Sequence, residues 1–151
     1  MDITIIYPLD IDELKKMFAE ELAEYLVYRY VNTDIKMSKY HIDLGNLYVL
    51  IDEAKKRITE EILKNGISID MNKLQEKFHY LAKKCTIADF SETKSIVLTD
   101  KGIEIHLSIS FGRVLRESLS LIAYDIYEEI IEKYRGFYEK ERDTFLQSIN
   151  K

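Results

Sequence analysis

The chain has 151 residues, 46% of them apolar and 32% charged, with a net charge of -5. That length suits one buried core, and that apolar share excludes a disordered tail. The acidic balance argues against a protein that coats nucleic acid or an anionic membrane.

The N-terminus, Met1 to Tyr7, has no basic residue and no long apolar stretch, so a secretory signal is not expected. The longest uninterrupted apolar run is Leu47 to Ile51, far below the roughly 18 residues of a membrane span. A single cysteine, Cys85, rules out an intrachain disulfide and a multi-thiolate zinc site, and with the other features it suggests a cytoplasmic protein. Abundant Ile, Lys, Glu and Tyr beside only two glutamines, Gln75 and Gln147, give a thermophile-like composition. The charge is uneven. Residues 1–31 are net acidic, whereas residues 64–101 carry seven lysines against five acids.

Taken along the chain, Ile3 to Tyr7 is β-branched and ends at Pro8, which predicts a short strand. Asp10 followed by Glu13 resembles a capping box, so a first helix is expected from there to about Val31, with Ile11, Leu14, Phe18, Leu22 and Tyr25 on one face. Residues 32–45 lose that period and read as a connection. A second helix buries Leu47, Ile51, Ala54, Ile58 and Ile62 and stops at Asn65-Gly66. A third runs from about Met71 to Lys84, capped by Ser68 or Asp70, with Leu74, Phe78 and Leu81 inward.

The period then becomes two. Ile103, Ile105, Leu107 and Ile109 alternate with polar residues, Asp100-Lys101-Gly102 is suited to a turn, and Ser95 to Thr99 is the expected partner strand. Cys85 to Phe90 is a candidate third strand. After Gly112 a long helix is expected, with Leu115, Leu119, Ile122, Ile126, Ile130, Tyr134 and Phe137 as its stripe. The fold class expected from this reading is α+β: about four helices with a small antiparallel sheet containing a hairpin near residues 95–110, in one domain.

Familiar catalytic signatures are missing, among them the phosphate-binding Gly-rich loop with Lys, the Gly-x-Ser-x-Gly elbow and the His-Glu-x-x-His helix. Glu76 and His79 have the spacing of half a di-iron site, but neither His41 nor His106 supplies the second half, and no metal or cofactor is expected. Cys85 reads as a small buried apolar group. Ser110, Arg113 and Arg116 sit at a strand-to-helix junction where two guanidinium groups and a hydroxyl could hold an anion, or pair with nearby acids instead.

Two functional expectations follow. One is a non-catalytic interaction protein, a subunit or regulator of a larger assembly, because Leu121, Tyr124, Ile131 and Tyr138 widen the last helix's apolar face and suit a protein partner or a homodimer. The alternative is a winged-helix DNA-binding regulator, in which Lys73, Lys77, Lys83 and Lys84 meet phosphate and Lys101 at the hairpin tip touches the backbone.

Overall fold

A computed structural model describes residues 11–84, 91–99, 102–109 and 111–150. The expected strand at residues 3–7 and the candidate strand at Cys85 to Phe90 lie outside them.

Helix α1 spans Ile11–Lys36 and is buried along two stripes. Leu14, Phe18 and Leu22 form the expected one, while Ala19, Ala23, Leu26, Val27 and Tyr30 form a second at the same three and four residue steps. Two alanines in that second stripe, both fully buried, let neighbouring helices approach closely. α1 is therefore the centre of the fold. Its first apolar residue, Ile11, is half-exposed rather than buried. The helix also outruns its expected end at Val31 by more than a turn, because Asp34 is held by partners from elsewhere in the chain.

Ser38 takes a positive φ of 52° as the chain reverses. Helix α2, Leu44–Asn65, then begins on Asp43, whose carboxylate accepts from the Asn46 backbone N–H at 2.8 Å. Leu50, Ile51, Ala54, Ile58 and Ile62 are its buried side. Gly66 ends it at a φ of 87°, where a side chain would be strained, and donates its N–H to the Leu63 carbonyl. Helix α3, Met71–Lys84, starts on Asp70, which accepts from the backbone of Asn72 and Lys73, and buries Leu74 and Phe78.

Helix α4, Phe111–Ile149, has 39 residues and so a length of about 58 Å. Its buried residues change from Val114, Leu115, Leu119 and Ile122 near the start to Tyr134 and Tyr138 further on. The pairs Glu21–Arg116, Tyr25–Ser120 and Asp34–Arg142 advance together, so α1 and α4 run in the same direction. Arg57–Glu141 and Asn65–Tyr134 show α2 running against α4.

Ser91–Thr99 (β1) and Gly102–Ile109 (β2) pair antiparallel, Ile96 opposite Ile105, with an irregularity between Thr93 and Ser95. Every residue of the described core cluster nevertheless lies on one of the four helices. The expectation of an α+β fold with a small antiparallel sheet is therefore corrected to an all-helical fold. Alternating apolar residues report a local backbone preference, whereas fold class is set by the elements that bury the core. Two strands alone make no stable layer, and the hairpin near residues 95–110 does not define this architecture. Among the described residues no helix is long and apolar enough to cross a membrane.

Candidate interaction surface

Where the middle of α1 runs beside the first half of α4, the two helices share a group of aromatic rings. Tyr25 of α1 stacks on Tyr127 of α4 at 5.4 Å between centroids and meets Tyr124 edge-on at 5.6 Å. Tyr124 and Tyr127 are tilted against each other at 5.8 Å. The Tyr25 hydroxyl is hydrogen-bonded to that of Ser120 at 2.7 Å, which fixes the central ring. Tyr124 nonetheless leaves 59% of its surface exposed, and Tyr28, one turn from Tyr25, leaves 45%. Partial burial and the Glu128 carboxylate raise the Tyr127 hydroxyl's pKa, opposed by Arg29.

Of the four residues expected at an interface, two are on the outside: Tyr124 is exposed and Leu121 is half-buried. The other two face inward. Ile131 packs against the core and its carbonyl accepts from the Tyr30 hydroxyl. Tyr138 is 1% exposed and stacks on Tyr30 at 5.0 Å, so it is unavailable to a partner. The sequence identified an excess of apolar surface on this helix but placed part of it on the wrong side, because the buried side of α4 shifts from Val114, Leu119 and Ile122 in its first half to Tyr134 and Tyr138 in its second.

That second half holds a buried polar cluster. Asp34, 4% exposed, accepts from the Tyr138 hydroxyl at 3.2 Å and from the Arg142 guanidinium at 2.7 Å, with the Lys39 ammonium 3.9 Å away. Arg142 also lies over the Tyr138 ring and donates to Asp143. Burial opposes its charge, but the hydrogen bonds to Asp34 and Asp143 outweigh that and move its pKa up. Desolvation, with Asp34 and Tyr40 nearby, pushes the Tyr138 hydroxyl well above the ordinary tyrosine range. Tyr30 is raised in the same way, Arg135 opposing. The Tyr40 hydroxyl is buried beside Tyr138 without a well-formed hydrogen bond. Their geometry is that of a clamp joining the C-terminal parts of α1 and α4. Asp34 was read from the sequence as part of a connection. The i, i+4 pairs Tyr30/Asp34 and Tyr138/Arg142 were the available signal.

The groove between α1 and α2 has a volume of about 390 Å³ and is lined among others by Lys16, Glu20, Lys55, Lys56, Thr59 and Leu63. Its charges are mixed, so it selects no single class of ion. On α3, Lys73 and Lys83 are exposed and Lys77 half-exposed. The side chain of Lys84 and the whole of Lys101 lie outside the described residues, so the five lysines of the DNA-binding reading are not brought together as a described surface. Glu76 and His79 are both exposed, and among the described residues no three His, Cys, Asp or Glu side chains form a group able to hold a metal.

At the junction before α4, Ser110 lies outside the described residues and Arg113 is exposed. Arg116 reaches back to Glu21 at 3.1 Å and Glu20 at 3.7 Å. These two carboxylates occupy the guanidinium that an anion would need.

No family model, curated protein or solved structure matches this chain.

Proposed function

We propose that the protein works as an interaction subunit or regulator, binding a protein partner through the tyrosine surface of α1 and α4. The observation that carries this reading is the 59% exposure of Tyr124 within a group of rings whose arrangement is already fixed by the Tyr25–Ser120 hydrogen bond. Tyrosine is favoured at binding surfaces because its ring supplies apolar area while its hydroxyl tolerates water. Rings ordered before binding also lose less entropy when a partner covers them. The covered part of Tyr124 already packs on Tyr25 and Tyr127, so its exposed remainder is a rigid platform.

The test is purification of the tagged protein from its native cells beside a Tyr124→Glu variant. A polypeptide, either another protein or an untagged second copy, is expected in stoichiometric amount with the native sequence and absent with the variant, whose helical circular dichroism should be unchanged. Recovery of the native chain alone, or equal recovery of the partner by both, contradicts the proposal.

A further inference from the structure

We infer that the partner is a second copy of this chain, and that the two α4 helices pair antiparallel about a twofold axis beside Leu121. This inference rests on the reading of the tyrosine surface given above and adds the partner and the geometry.

On the outward side of α4, Arg113, Glu117, Leu121, Tyr124 and Glu128 fall within about 80° of one another at 100° per residue. Arg113, Glu117, Tyr124 and Glu128 are all exposed and Leu121 is half-exposed. Their order is basic, acidic, apolar, aromatic, acidic. An antiparallel copy of the same stripe, centred between positions 120 and 121, sets Arg113 opposite the other chain's Glu128 at both ends. It sets Glu117 opposite Tyr124, whose hydroxyl can donate to that carboxylate, and it brings the two Leu121 side chains together across the axis.

A twofold interface must be complementary to itself, since each residue on one chain meets its counterpart's partner on the other. This stripe meets that condition: the single basic residue and the last acidic residue are equidistant from the apolar centre. A parallel pairing would instead oppose Arg113 to Arg113 and Glu128 to Glu128. Among the described residues Arg113 has no ion pair within its own chain, unlike Arg116, which is held by Glu20 and Glu21. Tyr25 and Tyr127 support Tyr124 from behind and widen the covered area on each side of the axis.

Light scattering of the full chain at micromolar concentration tests this. The native sequence should give twice 17.9 kDa, and Arg113→Glu or Glu128→Arg alone should halve the mass by opposing like charges. Combining the two substitutions should restore the dimer, because the pair is exchanged rather than removed. A loss of helix in one single variant would be judged against the other and against the double variant. A native mass of 17.9 kDa at all concentrations overturns the inference. So does a dimer that the single exchanges leave intact, or one that the double exchange fails to restore. A native chain that is monomeric alone but recovers a different protein, lost with Tyr124→Glu, would overturn the dimer while leaving the interaction reading in place.

Discussion

Asp34 is a residue whose loss should be felt across the molecule. It is almost fully buried, and Arg142, only 12% exposed in its side chain, is held against it. Removing one member of a buried ion pair leaves the other charge uncompensated and typically costs about 3–5 kcal/mol. Asp34→Ala should therefore lower the stability read from guanidinium unfolding by about that amount. Joint replacement, Asp34→Ala with Arg142→Leu, should recover a large part of it, since no orphan charge remains. Additive losses would show that the two side chains do not act as a pair.

The same cluster sets the alkaline limit of the fold. Tyr30 and Tyr138 have hydroxyl pKa values raised above the ordinary 10.0 by burial. A raised folded-state value means that unfolding releases these protons more readily. The stability is fully present below pH 10, and it is lost as the pH rises and the unfolded chain ionises first. Tyrosinate absorbance and loss of helical circular dichroism should rise together above that point. Complete titration of all tyrosines with the helices intact would show that the buried hydroxyls are not protected.

Among the elements, α2 and α3 were legible in their apolar stripes, in the stop at Gly66 and in the cap Asp70, which are local features with local consequences. The start of α2 on Asp43 was not, since it falls within residues 32–45, which the sequence read as a connection. α1 and α4 were legible as helices but not in their roles. A residue's burial on a central helix depends on which neighbours arrive, and alanines such as Ala19 and Ala23 carry little pattern of their own. The α+β expectation failed for a related reason: alternation near residues 103–109 reports strand preference but not whether those strands share the core. Close packing along α1 makes a direct prediction. Ala23→Leu, at a position with no exposure, should cost about 1–3 kcal/mol by overpacking. Arg29→Leu, at an exposed position of the same helix, should stay within about 0.5 kcal/mol of the native value. Equal effects in denaturant unfolding would remove α1 from the centre.

At the scale of the whole molecule, the two halves of α4 do different work. The second half, from about Ile131, is clamped to α1 through Tyr30, Asp34, Tyr138 and Arg142. The first half buries one face and leaves Leu121 and Tyr124 on the other. The candidate surface was half legible in the sequence: Leu121 and Tyr124 were identified from excess apolar content, but Tyr25 and Tyr28 were not, since a surface made by two helices has no signature in either alone. The most direct measurement is tyrosine nitration of the native assembly and of the separated chain, read by peptide mass. Tyr48, 57% exposed on α2, serves as the control. If the tyrosine surface is where the partner binds, Tyr124 is protected in the assembly and modified in the separated chain, while Tyr48 is modified in both; equal modification of Tyr124 in the two states would contradict the account.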